Sequence, residues 1–309
     1  MTINLKASKI FIGALCRDAS PYLANFKSFL SSLKYHASSY SVVVVQNDSS
    51  DNSHDKLQLI ANEFEPFFDY IYPGPLDSEF PERTDRLAFC RNLLLSRFRE
   101  LGGSCVYDLV LMLDISAETS DITPKSINYA LRTAPLDWAV LTANHSFLYY
   151  DIWALRHPMW CPSDVISDYH NSRLIYGDYI ARLFSMGSRQ IHIPSTLPPF
   201  LVESAFAGAA IYKAKYLDSI TYSGADCYGN IICEHVEFHE NIRANGGAIY
   251  IHPGFVVSHN ISEHTFFSID WITFNWIFAS TIFLLNKRRK SFVRICGKIT
   301  NIFLNSDGR

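Results

Sequence analysis

The feature that most restricts the fold is a recurrence in the first third of the chain. Short aliphatic runs are each followed by a polar loop and then by apolar residues at helical spacing. Ile10 to Leu15, Ser41 to Val45 and Asp108 to Leu113 read as strands. Leu23, Phe26, Phe29, Leu30 and Leu33 share one face of a helix over Pro21 to Leu33, and Lys56 to Phe64 and Arg86 to Leu101 read as further helices. Strands without polar alternation are covered on both faces, and strands that alternate with helices are joined by crossovers. The pattern predicts an α/β chain with a mostly parallel central sheet and ligand loops at the carboxyl ends of its strands. Trp138 to Thr142, Ala207 to Tyr212 and Ala248 to Ile251 read as later strands, and Tyr149 to Pro199, aromatic and irregular, as a mobile lid.

With 309 residues, 48% hydrophobic and 18% charged, the chain has the material for a full core and no excess of basic residues suited to nucleic acid. One domain is expected over residues 1–262, with an appendage over 263–309. The appendage opens on an apolar and aromatic run, Phe266 to Leu285, followed at once by Lys287-Arg288-Arg289-Lys290. Asp270 and Asn275 make a spanning helix costly, so the run reads as an interfacial helix on an anionic membrane surface. Seven cysteines without a Cys-x-x-Cys pair fit a reducing compartment. Ile10 to Cys16 is too short to span a bilayer. The expected location is cytoplasmic, peripheral at the cytoplasmic face of a membrane.

Several strand ends carry side chains that bear on chemistry. Asn47, Asp48 and Asp51 follow a strand and can accept hydrogen bonds from a base and ribose; an Asx-rich turn capping a helix is the competing reading. Arg91 and Asn92 lie on a helix, where the guanidinium can meet a phosphate or hold the Asp114 loop, although many helices carry such a pair in solvent. Asp114 and Ser116 fall on the same side of an extended backbone and suit a hard cation, Mg2+ or Mn2+, with Glu118 nearby; Ser116 as a helix cap is the alternative. Glu234 and Glu237 share one helix face and either can take a proton from a hydroxyl, unless Glu240 and Arg243 mark that face as solvated. His259, after a strand, offers a neutral imidazole to the same metal, against a structural role for a lone histidine.

Together these residues resemble the GT-A glycosyltransferases, particularly glycosyltransferase family 2, over roughly residues 8 to 262. The donor loop of that family, Val-Asp-Asp-Gly-Ser-Thr-Asp-Gly-Thr, is similar to Val45-Gln46-Asn47-Asp48-Ser49-Ser50-Asp51-Asn52-Ser53. Its Ala-Arg-Asn helix resembles Cys90-Arg91-Asn92, its Asp-x-Asp falls on Asp114-Ile115-Ser116, and its Glu-Asp-x-Asp falls on Glu234-His235-Val236-Glu237. The stretch from there through Pro253 to His259 keeps the register of the family without a gap. A second run, Tyr150-Asp151-Ile152-Trp153-Ala154-Leu155-Arg156, looks like that of family 69, the capsule-type α-1,3-mannosyltransferases.

The resemblance implies a Rossmann-like GT-A domain and a nucleotide-sugar donor, GDP-mannose or a UDP-sugar. It also implies Mn2+ or Mg2+ held by Asp114, Ser116 and His259, and a glycan or lipid-linked acceptor. Glu234 or Glu237 would be catalytic, and Asp151 and Arg156 would line the sugar pocket. Two departures stand out: Ser116 replaces the second metal-site aspartate, and His235 occupies the place of the usual catalytic aspartate. They leave open a catalytically silent module that binds a sugar nucleotide or glycan.

Overall fold

The aliphatic runs form strands buried on both faces. The computed structural model describes residues 4–266, and the tail expected to meet a membrane lies outside them from residue 267 on. The strands are β1 (Lys9–Cys16), β2 (Ser39–Gln46), β3 (Phe68–Ile71), β4 (Leu109–Ile115), β5 (Trp138–His145), β6 (Phe200–Val202), β7 (Ala209–Lys213) and β8 (Ala248–Ser258). The helices are α1 (Leu23–Leu33), α2 (Ser53–Phe64), α3 (Arg83–Glu100), α4 (Pro124–Thr133), α5 (Val165–Tyr176), α6 (Asp178–Ser185) and α7 (Glu234–Ala244).

Among the described residues one sheet has the order β3-β2-β1-β4-β7-β5-β8-β6. β1, β2, β3 and β4 run parallel, as do β5 and β8, while β7 opposes β4 and β5 and β6 opposes β8. This is the mixed α/β architecture with mostly parallel strands that the sequence predicts. Because β7 runs antiparallel to β4, it starts beside the carboxyl end of β4. The Asp114 N–H accordingly donates to the Gly208 carbonyl at 2.9 Å.

Helix α1 buries the five apolar residues that mark its face, Leu23, Phe26, Phe29, Leu30 and Leu33. Helix α4 starts at a capping box in which the Thr123 side chain accepts from the Ser126 N–H, with Pro124 at its first position. Helix α7 turns Glu234, His235, Phe238, His239 and Ile242 inward, so its buried stripe is polar as well as apolar. Strand β8 passes through Pro253 because that residue falls at a register shift against β5, where the Asn144 side chain takes the Pro253 carbonyl at 3.0 Å.

The segment read as irregular between Tyr149 and Pro199 contains two helices, which corrects that expectation. Asp164 caps α5 through the Ile166 and Ser167 N–H groups, and Gly177, at φ 79°, ends α5 and begins α6. Leu174, Ile175, Tyr176, Tyr179 and Phe184 on this pair are exposed. Among the described residues no helix is long and apolar enough to cross a membrane.

Candidate active site

The site is built on a buried arginine. Arg91 lies on the inner side of α3, 1% exposed, and its Nε donates to Glu234 Oε1 at 3.0 Å. Its Nη2 donates to Asp114 Oδ1 at 3.0 Å and Oδ2 at 3.2 Å. The guanidinium lies 4.7 Å from the Phe206 ring centroid and 5.8 Å from that of Tyr222, so it is flanked by aromatic rings as well as by charge. The Asn92 amide fixes this arrangement: it donates to the Tyr222 carbonyl at 2.9 Å and accepts from the Tyr222 N–H at 2.8 Å.

The three charges grade from core to surface. Glu234 is 3% exposed and Asp114 36% exposed, so the arginine neutralises one carboxylate inside and holds the other at the edge of the sheet. Burial alone would lower the Arg91 pKa, but Asp114 and Glu234 raise it above its ordinary value, so the guanidinium is charged. Burial pushes the Asp114 carboxyl up, Arg91 opposes the shift and the Glu234 charge adds to it. Arg91 bridges the two carboxylates, and the Arg83 charge also reaches Asp114 at the solvent end.

Asp151 joins this cluster. Burial pushes its pKa up to about 6, and the charges of Glu234 and Asp114 act in the same direction against the stabilising Ala207 N–H. Its Oδ2 accepts from Ala207 N at 2.8 Å, holding a turn in which Ala207 has φ 57° and Gly208 φ 82°. A Cβ at Gly208 would come within 2.8 Å of Thr119 Cγ2, so the turn needs glycine both for its backbone angle and for its space. Since the Gly208 carbonyl receives the Asp114 N–H, Asp151 orders the backbone against which Asp114 is set.

Other predicted residues tie loops and turns to one another. Asp48 accepts from the Leu76 N–H at 3.1 Å on both oxygens, and Asn47 donates to Asp48 at 2.6 Å. Asp51 accepts from the N–H groups of Ser20 and Ser53 at 2.9 Å each, which is the Asx-turn reading of that loop. Arg156 donates to the carbonyls of Trp153 and Leu155 and pairs with Asp164 at 2.6 Å, so it ties a turn to the start of α5. Ser116 caps the following turn through the Glu118 N–H at 3.3 Å. His259 is exposed, its N–H donating to Asp121 at 2.8 Å, and among the described residues no hydrogen bond or ion pair links its ring to Asp114. Glu237 Oε2 is buried without a hydrogen-bond partner.

Two histidines on α7 face inward: His235, which the sequence marks by its place in the motif, and His239, which it does not single out. The His235 ring stacks on Phe206 at 3.8 Å, and burial, reinforced by the Arg91 charge, holds its pKa well below the ordinary value. His239 is lowered to about 3 by burial; its Nδ1 meets Ser204 Oγ and its Nε2 Tyr212 Oη, both at 3.0 Å. The spacing of His235, Phe238, His239 and Ile242 on one helix face is the signal that marks them as inward.

No protein-family model matches the chain, and no curated protein matches it. Solved structures are similar in fold. A mannosyltransferase from Pyrobaculum calidifontis, in complex with GDP-Man and Mn2+, is 12% identical over 84% of this chain and 60% of its own, with a TM-score of 0.46. Residues 1–349 of S. aureus TarS are 14% identical over 79% of this chain and 57% of theirs, with a TM-score of 0.41. Glucosyl-3-phosphoglycerate synthase from Mycobacterium tuberculosis, in complex with phosphoglyceric acid, is 12% identical over 86% of this chain and 75% of its own, with a TM-score of 0.40. The chain thus spans less than two thirds of the first two proteins.

Proposed function

We propose that the chain is a GT-A-type glycosyltransferase that moves a sugar, with mannose the first candidate, from a nucleoside-diphosphate sugar to a glycan or lipid-linked acceptor with the help of Mn2+ or Mg2+. The observation that carries the reading is the Arg91 bridge, which fixes the half-exposed Asp114 carboxylate at the carboxyl end of a central strand. In the reaction the bond from sugar C1 to the diphosphate oxygen breaks and a bond from C1 to the acceptor oxygen forms. The hydroxyl proton passes to a carboxylate or to the departing phosphate.

The carboxylates of Asp114 and Asp151 are oxygen donors suited to a hard cation, which when bound would offset the charge of the departing diphosphate. Asp114 faces the donor side. Glu234 is buried and paired, so it positions Asp114 through Arg91 rather than meeting the acceptor. Asp151, half-buried and ionised at neutral pH, is the carboxylate suited to orient or deprotonate the acceptor hydroxyl.

The basic run Lys287 to Lys290 after an apolar stretch, and the exposed apolar side chains of α5 and α6, support peripheral attachment to an anionic membrane where a lipid-linked acceptor resides. Co-sedimentation with vesicles containing anionic lipid tests this part. Replacing Lys287, Arg288, Arg289 and Lys290 with Gln should release the protein from the pellet; unchanged sedimentation removes the membrane from the account. The second reading, a silent module that binds a sugar nucleotide or glycan, is motivated by Ser116 and His235. It predicts donor binding without release of nucleoside diphosphate, which incubation with Mn2+ and sugar nucleotides detects.

A further inference from the structure

We propose that the chain carries a second ligand site, for a phosphate-bearing anion, in a cleft at the amino-terminal edge of the sheet. The cleft, of about 580 Å³, is lined by Asn4, Lys6, Tyr35, His36, Asn128 and Arg132. A space of that size takes a small organic molecule rather than a bare ion. Lys6 precedes β1 and His36 precedes β2, whereas Asp114 lies near the carboxyl end of β4, which runs parallel to β1. The eight residues of β1 span roughly 25 Å, so a ligand in the cleft and a sugar donor at Asp114 occupy opposite edges of the sheet. The site therefore goes beyond the transferase reading and does not rest on it.

Three segments build the cleft, and hydrogen bonds fix them to one another. The turn Leu5–Ala7 brings Lys6, the chain after α1 brings Tyr35 and His36, and α4 brings Asn128 and Arg132, which share one helix face. The Leu5 N–H donates to Asn128 Oδ1 at 3.3 Å, and the Ser38 N–H donates to the Leu5 carbonyl at 3.3 Å. His36 Nδ1 meets the Ser32 carbonyl at 2.9 Å. Leu5, 1% exposed, seats the turn in the core. The walls are thus in place without a ligand.

The lining selects an anion. It contains no carboxylate, although acidic residues outnumber Lys and Arg in the whole chain, 30 to 27. Among the described residues neither Lys6 nor Arg132 forms an ion pair. Lys34 Nζ lies 5.0 Å from the Tyr35 ring centroid and adds a third cation at the rim. The side-chain oxygens of Asn4 and Asn128 are taken by the Ala7 and Leu5 N–H groups, which leaves their NH2 ends as donors. Arg132 also offsets the carbonyl end of α4, but that role calls for neither Lys6 nor two amides beside it.

Cations and amide donors gathered without an acceptor of opposite charge match a group with several anionic oxygens, and a phosphate is such a group. The remaining volume and the exposed Tyr35 ring accommodate the organic part to which the phosphate is joined. That part belongs either to a soluble ester or to a lipid headgroup.

The test is isothermal titration calorimetry of the full-length protein with inorganic pyrophosphate, in EDTA so that no divalent cation carries the anion to Asp114. The wild-type protein should bind it, and Lys6→Gln combined with Arg132→Gln should weaken binding by at least about 10-fold. Lys6→Arg combined with Arg132→Lys should keep most of the binding. Both side chains are exposed, so thermal unfolding should stay at the wild-type temperature. Asn128→Asp keeps an acceptor for the Leu5 N–H but sets a carboxylate in the cleft, and should abolish binding by itself. Wild-type affinity in the double Gln variant or in Asn128→Asp, or no pyrophosphate bound by the wild type, overturns the proposal.

Vesicles of phosphatidylcholine and phosphatidylglycerol then identify the source of the phosphate, in a protein whose Lys287, Arg288, Arg289 and Lys290 are replaced by Gln. Sedimentation that is lost with Lys6→Gln and Arg132→Gln assigns the cleft to a lipid headgroup. Sedimentation indifferent to them, or none, assigns it to a soluble phosphate ester. No sugar nucleotide takes part, so an absence of transfer leaves this site standing, and loss of this site leaves the transferase reading standing.

Discussion

Arg91 Nε lies 3.0 Å from Glu234 Oε1, so two residues separated by most of the domain share one buried ion pair at the meeting of α3 and α7. Removing one member strands the other without water. Arg91→Met should therefore destabilise the fold by about 3–5 kcal/mol, whereas Arg91→Met combined with Glu234→Met should recover most of that loss. Urea unfolding of the three proteins checks this, and equal stability of single and double variants would show that the pair is not buried as described.

Glu234 acts on chemistry through its neighbours. Its charge raises the pKa of both Asp114 and Asp151, so Glu234→Gln should move the acid limb of the pH–rate profile to lower pH as well as reduce turnover. A merely structural loss would lower the rate without moving that limb.

Much of this was legible in the sequence, for physical reasons that particular residues show. β1, β2 and β4 stood out because a strand buried on both faces leaves no polar alternation, and α1 because its five apolar residues keep helical period. Strands β3 and β6 are four and three residues long, too short to carry a pattern. The α5–α6 pair escaped because Leu174, Ile175 and Tyr176 face solvent and erase the periodicity.

Arg91, Asp114 and Glu234 were each legible, but their union depends on a helix contact that no local pattern encodes. The opposite difficulty applies to Asp48 and Asp51. Whether a polar side chain after a strand faces a ligand or ties neighbouring loops together is decided by backbone geometry, such as the φ of 48° at Asp48. His239 was missed because α7 was read by its acidic residues rather than by its inner face.

Asp151 gives a stability prediction with a definite sign. Its folded pKa of about 6 lies above the ordinary 3.8, so the native state binds the extra proton. The stability tied to that proton is complete below about pH 4 and is lost as pH rises through about 6. Asp151→Asn, whose amide oxygen can still accept from the Ala207 N–H, should flatten this dependence and gain about 1–2 kcal/mol at pH 7 relative to the wild type. Denaturant unfolding at pH 4, 5, 6 and 7 measures it; parallel curves for the two proteins would contradict the shifted carboxyl.

His239 works in the other direction. Its folded pKa of about 3 lies below the ordinary 6.5, so its contribution is present above pH 6.5 and is lost as pH falls toward the folded value. His252, also buried and lowered to about 4, adds to the same loss. Each neutral histidine costs up to about 1.4 kcal/mol per pH unit in that window. His239→Gln should shift acid unfolding to lower pH, as followed by circular dichroism; an unmoved midpoint would mean that the imidazole protonates without cost.

The most direct test of the central claim is incubation of the full-length protein with Mn2+ and a panel of sugar nucleotides, GDP-mannose and UDP-sugars among them, with release of nucleoside diphosphate as the readout. The account predicts that one donor is consumed and that Asp114→Asn lowers its consumption by about 100-fold or more while thermal unfolding stays close to that of the wild type. Equal turnover by wild type and Asp114→Asn, or no binding and no consumption of any donor, would contradict it.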